Sequence, residues 1–356
     1  MQNGRQYLSD ASLPYPLPVD IIELHRQSLR TLLLTEVFGS PICSNALANQ
    51  ASGHVLDVAC GSGFWSQMCH RHFAQSGHKD IHFTGMDIDP VGIDAGDVDR
   101  DMKWKFVQHD LRNIPWPFAD GSFDLVMVKD LSLAVTSTHS LQTAVEECHR
   151  ILRPGGTLEF WDSDHEIRML RPQAVFQTVN TEDAANIASL GAYPISTRTS
   201  LSASRNEFIV DYNTWVRRAL KARNLSSVPC TLIESMLIQE SESLTDVHSR
   251  RLAIPLSETT WERERLSINA GKCVSRVKTD EQKKTLTEAQ AALRYTAMMT
   301  VVQQIQNLEP ILREFSGKSQ NEWDGWMDKI TCNLMTGNET SWGECLEVGA
   351  WWARKK

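Results

Sequence analysis

The stretch Asp57-Val58-Ala59-Cys60-Gly61-Ser62-Gly63 sets an acid, two small residues and two glycines directly after a short apolar run and directly before a helical pattern. Glycines at a strand-to-helix turn let the backbone approach a ligand closely, and the helix that follows offers unpaired N–H groups. Two ligand chemistries compete for such a turn. A dinucleotide turn reads GxGxxG, its third glycine allowing close helix–strand packing; here Gly61 and Gly63 are followed by Ser66, so the third glycine is missing. Asp57, at the end of the run, would face a pyrophosphate unfavourably but suits a ligand that carries an amino cation.

S-adenosylmethionine has an ammonium, a sulfonium and no phosphate, and this charge logic favours it over a nicotinamide dinucleotide. Further residues sit where such a ligand needs them. Asp87, followed by Ile88, ends a second apolar run, and a carboxylate there can accept from both ribose hydroxyls. The competing reading is a turn aspartate, since Asp89-Pro90 follows. Asp110 and Leu111 can bracket an adenine, carboxylate to the exocyclic amine and leucine over the ring; Asp110 as a solvated loop acid is the alternative. Lys129 ends another apolar run, either at the ligand edge or simply paired with Asp130.

These residues require an alternating scaffold, and the chain supplies one. Strand patterns at 54–59, 81–87, 103–110, 123–130 and 157–162 alternate with helical ones at 64–73 and 141–152, the last stopped by Pro154-Gly155-Gly156. Such alternation predicts a parallel sheet covered by helices on both faces. Before it, Pro14, Pro16 and Pro18 make an extended arm, and Ile21, Leu24, Leu29, Leu32, Leu33 and Val37 predict a helix that Gly39 ends. After residue 165 the chain reads as mostly helical, broken by strand-like pieces at 244–256 and 345–356. If both join the sheet, the stretch of about 255–340 is an insertion on the same domain.

In 356 residues, 41% hydrophobic and 22% charged, the composition is that of a globular protein. Thirty-six Lys and Arg against forty-four Asp and Glu give a net charge of -8, which disfavours a surface built for nucleic-acid phosphates or anionic lipid. No apolar run approaches the roughly 18 residues of a membrane helix. The N-terminus has no signal-peptide pattern, and the eight cysteines, without a CxxC pair, read as reduced thiols, so a cytoplasmic protein is expected. The sequons at Asn224 and Asn338 are then expected to go unused. Eleven tryptophans are many for this length. Phe208, Tyr212 and Trp215 share one helical face and Trp323 and Trp326 another; they are either core or an aromatic wall around a flat ligand.

HVLDVACGSGFW, GMDID, QHDLRNIPWPFADGSFDLVMV and HRILRPGGTLEFWD, in this order, resemble the class I S-adenosylmethionine-dependent methyltransferases. The resemblance implies a Rossmann-like seven-stranded α/β sheet with its last strand antiparallel, 244–256 and 345–353 being the final two strands. It implies cofactor contacts from Asp57, Ala59, Gly61, Gly63, Asp87, Ile88, Asp110, Leu111 and Lys129. Ala59 departs from the motif, which most often has glycine there. The arm, Tyr15-Pro16-Leu17-Pro18-x-Asp20-x-x-Glu23-x-x-Arg26, is similar to that of the fungal LaeA/UMTA-like methyltransferases. That group includes tailoring enzymes of secondary metabolism and regulators that work through nuclear protein partners.

The expected organisation is an arm and helix over 1–40 as a lid, a cofactor-binding core over 41–165, and a helical substrate cover over 166–356. The first functional reading is methyl transfer to a hydrophobic small molecule, a fungal secondary metabolite. The alternative is a regulatory protein of this fold acting through protein partners, nuclear in that case; a nicotinamide oxidoreductase is the weakest. A general base is needed only for a protonated acceptor. His165, leaving the fifth strand at the ligand edge, is the candidate because an unperturbed imidazole titrates near neutrality; a polar loop histidine is the plainer reading, and His139 is weaker. Asp130, Asp162 and Asp164 at neighbouring strand ends could suit magnesium, but the local sequence does not resemble the metal-dependent catechol-type group, and no metal is expected. Cys69-His70-Arg71-His72 lacks a second ligand pair for zinc.

Overall fold

The computed structural model describes residues 4–10, 12–48, 52–78, 80–90, 99–136, 139–172, 182–196, 199, 201–240, 242–264, 286–336 and 342–356. Cys273 and the sequon at Asn338 lie outside them, as does part of the stretch 255–340.

Helix α1 (Ile21–Phe38) has the bounds its leucine spacing predicts: the Asp20 carboxylate accepts from Glu23 N at 3.1 Å, and Gly39, at φ 80°, closes it. The alternating segment forms β1 (Ser52–Val58), α2 (Phe64–Gln75), β2 (Asp80–Asp87), β3 (Lys103–Gln108), β4 (Phe123–Lys129), α3 (His139–Ile151) and β5 (Leu152–Ser163). Pro154-Gly155-Gly156 does not separate the third helix from the fifth strand. Phe123 pairs with Leu152 and Leu125 with Thr157, so residues 153–156 bulge from the ladder of a strand that has already begun.

The later chain gives β6 (Arg168–Met169), α4 (Glu182–Ser189), β7 (Tyr193–Ile195), β8 (Ser202–Ala203), α5 (Glu207–Ala222), α6 (Ile233–Gln239), β9 (Leu244–Pro255), α7 (Glu288–Asn307), α8 (Glu309–Ser316), α9 (Gln320–Thr336) and β10 (Glu344–Lys355). The sheet runs β3-β2-β1-β4-β5-β10-β9, with β1 to β5 parallel and β10 antiparallel to both of its neighbours. This is the expected Rossmann-like seven-stranded order. Three short strands extend it: β7 on β9, β6 on the start of β10, and β8 on β6. At two or three residues each, they carry no readable periodicity.

Helices cover both faces. On one, Leu34, Trp161, Tyr212, Val302 and Ile330 belong to one apolar cluster; on the other, Val126, Cys148, Leu237 and Trp351 belong to a second. The order reverses between β1 and β4, which opens a crevice at the carboxyl ends of the strands, where open α/β sheets bind ligands. Helix α1 packs along α7 and closes that crevice from above.

Candidate active site

The turn after β1 is built on left-handed backbone. Ala59, Gly61 and Gly63 have φ of 56°, 53° and 69°, a region that costs an L-residue with a Cβ roughly 1–2 kcal/mol. The motif's preference for glycine at position 59 is therefore a matter of backbone conformation, not only of room. The turn is held by Cys60 N donating to Met86 O at 3.2 Å and by Gly61 N donating to Asp87 Oδ2 at 2.8 Å. Asp87 Oδ1 accepts from Asp89 N at 3.3 Å, and burial holds this carboxyl above its usual pKa.

A cavity of about 1210 Å³, including the part open to solvent, lies over this turn. It gathers Ala59, Gly61, Asp87, Ile88, Asp110, Leu111, Lys129 and His165 from the expected set. Asp57 and Gly63 stand apart from its lining. Asp57 is buried beneath the turn, accepting from Ser66 Oγ at 2.8 Å, and desolvation raises its pKa to about 7. Gly63 starts α2, and a Cβ there would meet the Trp104 ring at 3.0 Å.

Asp110 is not a bare loop acid. Arg112 grips both its oxygens, at 3.0 and 2.7 Å for the Oδ2 contacts, and reaches on to Ser12 Oγ at 2.8 Å and Asp10 Oδ2 at 2.9 Å in the arm. The guanidinium holds Asp110 below its usual pKa. The arm is thereby tied to the adenine-side residues.

The roof comes mainly from the N-terminus, and among the described residues after 165 Gln304 joins it. Tyr15, Leu17, Glu23, Arg26, Gln27 and Arg30 line the cavity. Glu23, Arg26, Gln27 and Arg30 recur at i, i+3, i+4 and i+7, a polar stripe on an otherwise apolar helix face. That stripe is the signal by which Gln27 and Arg30 were findable in the sequence. Glu23 and Arg26 form a buried pair at 2.6 Å; Asn307 Nδ2 also donates to Glu23, and Arg5 bridges Asn307 and Asp20, both at 2.6 Å. Gln27 leans over the turn, with Oε1 2.7 Å from where a Cβ of Gly61 would stand.

Lys129 pairs with Asp130 at 2.9 Å, and Arg30 takes the other oxygen of Asp130 at 2.6 Å. His165 differs from the expectation of a near-neutral imidazole. Burial, then the Arg30 cation, push its pKa down to about 3. Gln304 Nε2 lies 3.1 Å from its Nδ1 and Ser132 Oγ 2.9 Å from its Nε2. Ser132 and Gln304 gave no sequence signal, since only tertiary contacts across 33 and 139 residues bring them to the ring. Of His139 only the backbone is described.

Asp130, Asp162 and Asp164 do not converge. Asp162 accepts from Ser132 and Ser163, whereas Asp164 accepts from Cys230 N at 3.0 Å and pairs with Arg168. Among the described residues no group of three or more His, Cys, Asp or Glu is placed to hold a metal. Cys69 is core, and His70 and Arg71 face Asp101 and Asp99.

The expected aromatic wall does not form. Trp215 lies 4.7 Å from Trp326 and 6.2 Å from Trp323 between ring centroids, Phe208 lies 6.4 Å from Trp326, and the three tryptophans are core with Tyr212. None of these five rings lines the cavity. Their helical faces pack on each other, the ordinary fate of large apolar rings. The cavity is also richer in charge than an aromatic pocket would be, with Glu23, Arg26, Arg30, Lys129 and Asp130 all on its wall.

Residues 55–156 match the family model of a methyltransferase domain. Demethylmenaquinone methyltransferase of Listeria monocytogenes serotype 4a is 29% identical over 122 residues, covering 32% of this chain and 46% of that protein. Malonyl-[acyl-carrier protein] O-methyltransferase of Enterobacter lignolyticus is 37% identical over 106 residues, covering 30% and 37%. The chain thus spans about half the length, or less, of these curated relatives. Among solved structures, the YcgJ protein of Bacillus superposes with TM-score 0.40 at 14% identity over 93% of this chain and 99% of that one. Phosphoethanolamine N-methyltransferase 2 of Haemonchus contortus, in complex with S-adenosyl-L-methionine, gives 0.38 at 14% over 92% and 57%.

The matched span holds the glycine turn, Asp87, Asp110 and Leu111, and with the strand order it supports a class I S-adenosylmethionine-dependent methyltransferase. Its cofactor is S-adenosylmethionine. The residues present fit that molecule: Asp87 and Asp89 make the cavity acidic beside the turn, and Gly61 presents no Cβ to it. Among the described residues no helix is long and apolar enough to cross a membrane.

Proposed function

We propose that this protein transfers a methyl group from S-adenosylmethionine to a small-molecule acceptor enclosed between the strand ends and the N-terminal arm. The observation that carries the reading is a single cavity joining the glycine turn to a second wall made by Leu17, Leu24, Leu133, Arg30 and His165. The cavity runs on past the glycine turn to this second wall, which gives an acceptor its own contacts beside the cofactor. In this reading the turn at Ala59 and Gly61 holds the methionine part, Asp87 the ribose, and Asp110 with Leu111 the adenine. When bound, the cofactor supplies an electrophilic methyl group on a sulfonium.

The leucines of the wall suit an apolar acceptor body, and the paired charges at Arg30–Asp130 and Glu23–Arg26 suit a polar group on it. Tailoring of a fungal secondary metabolite is supported by the likeness of the arm: Tyr15, Leu17, Pro18, Glu23 and Arg26 of its motif all line the cavity. Untargeted metabolite comparison of cells lacking this protein with their parent tests the reading. One accumulating compound, lighter than its missing product by a methyl group, is expected. Broad loss of many unrelated metabolites would favour the regulatory alternative.

A further inference from the structure

His165 stands in a chain of hydrogen bonds that crosses from the cavity into the protein. Gln304 and His165 both line the cavity, whereas Ser132 and Asp162 do not; those two border a smaller hollow on the far side, with Ser226 and Pro229. Gln304 Nε2 donates to His165 Nδ1 at 3.1 Å, so the proton of the neutral ring belongs on Nε2. That proton points at Ser132 Oγ, 2.9 Å away, and the Ser132 hydroxyl then donates to Asp162 Oδ1 at 2.9 Å. Every link has one donor and one acceptor. Tyr212 OH donates to the His165 carbonyl at 2.8 Å and fixes the residue's place.

We propose that His165, Ser132 and Asp162 form a proton relay that removes the acceptor's proton without ever charging the imidazole. This rests on the methyltransferase reading and on an acceptor whose reacting atom bears a proton. The acceptor displaces Gln304 and donates its O–H to Nδ1. As the acceptor oxygen forms its bond to the methyl carbon, the carbon–sulfur bond of the sulfonium breaks with its electron pair left on sulfur, the O–H bond breaks, and the proton passes to Nδ1. The Nε2 proton passes to Ser132 Oγ, and the Ser132 proton to Asp162 Oδ1. One proton has left the acceptor and one has arrived on Asp162. The ring stays neutral with its tautomer exchanged, and it resets when the emptied cavity readmits water.

The surroundings explain why a relay is needed. Arg30 and Arg26 face the ring and oppose an imidazolium, and Asp130 favours it less than these and burial disfavour it. A base that had to become charged here would be a weak one. Asp162, by contrast, is raised to about 7 by burial and by the neighbouring Asp130 carboxylate, against Arg30, so it is a matched proton sink near neutrality. The Cys230 thiol also borders Asp162 and stays neutral, its pKa pushed well up by burial. His165 is the group that touches the acceptor; Ser132 and Asp162 act through it.

The test is the tautomer of His165, read by nitrogen NMR on histidine-labelled full-length protein with S-adenosylhomocysteine added as the probe. Above neutrality the proton is expected on Nε2. As pH falls through about 7 and Asp162 takes a proton, Asp162 becomes the donor, Ser132 turns toward Nε2, and the ring proton moves to Nδ1 while the Gln304 amide flips to accept it through Oε1 and the ring stays uncharged. Asp162→Asn, which cannot titrate, should hold the ring in one tautomer at every pH, and Ser132→Ala should uncouple the ring from pH. A ring that keeps Nε2–H throughout, or that becomes charged near neutrality, overturns the relay. The wild-type titration decides this even where a variant does not fold. Failure to bind the probe while the tautomer still follows pH would instead remove the methyltransferase reading, and with it the relay's role in methyl transfer, while the coupled chain His165–Ser132–Asp162 would stand.

Discussion

Arg30, on the second half of α1, places Nη2 2.6 Å from Oδ1 of Asp130 at the end of β4, one hundred residues away in the chain. The pair is nearly dry on the arginine side, and Asp130 holds a left-handed φ of 56° to present its carboxylate. Burial works against this ionised carboxyl, but Arg30 and Lys129 keep it well below its usual pKa. The contact fixes the roof helix to the sheet edge and thereby sets the height of the cavity between them. Arg30→Ala would leave Asp130 with Lys129 as its remaining cation, a loss of about 1.5–3 kcal/mol for hydrogen bonds to a charged group. Chemical denaturation should show that loss, and a change within about 0.5 kcal/mol would mean the pair does not anchor α1.

The arm should matter for the cofactor more than for the fold. Deleting residues 1–19 removes Leu13, Tyr15 and Leu17 from the cavity wall and strips Arg112 of Asp10 and Ser12. Far-ultraviolet circular dichroism should stay close to that of the intact chain, while the dissociation constant for S-adenosylhomocysteine rises by roughly tenfold, equivalent to about 1.4 kcal/mol. Unchanged affinity would leave the arm a packing element and end its role as a lid.

Ala59 offers a gain of stability. Its φ of 56° is one that glycine adopts without a Cβ penalty. Ala59→Gly should raise stability by about 1 kcal/mol, the left-handed penalty less the extra chain entropy of glycine. A lowered melting temperature would show that the Ala59 methyl group contributes more by packing than its backbone costs.

Trp215→Ala and Trp326→Ala should act on the core. Both rings are at least nine-tenths buried and pack on each other at a tilt of 58°, so each truncation is expected to cost about 3–5 kcal/mol. Thermal unfolding with and without cofactor separates the cases: two variants as stable as the parent, with weaker acceptor use alone, would return these rings to the pocket.

What could be read from the sequence follows the physics of range. The glycine turn, Asp87, Asp110 and the strand ends were legible because local rules govern them: φ at the turn, period two in a strand, a capping Asp20 before α1. The tryptophans were not, because a helical period shows that Trp323 and Trp326 share a face but not what that face meets. His165 was found by residue type and misjudged in charge, since its pKa is set by burial and by Arg30, which is 135 residues away by numbering. Pro154-Gly155-Gly156 carried a true break signal, yet the strand partner Phe123 had already captured Leu152. The pairing overrode the local propensity.

The central claim is that the turn and Asp87 form an S-adenosylmethionine site. Titration calorimetry of the full chain with S-adenosylhomocysteine tests it most directly, with NAD as the rival ligand and Asp87→Ala as the site control. One binding site is expected, no heat with NAD, and a loss of about 1.5–3 kcal/mol in the variant, which removes acceptors for the ribose and the partner of Gly61 N–H. Binding of NAD, or equal affinity for S-adenosylhomocysteine in the parent and in Asp87→Ala, would contradict the account.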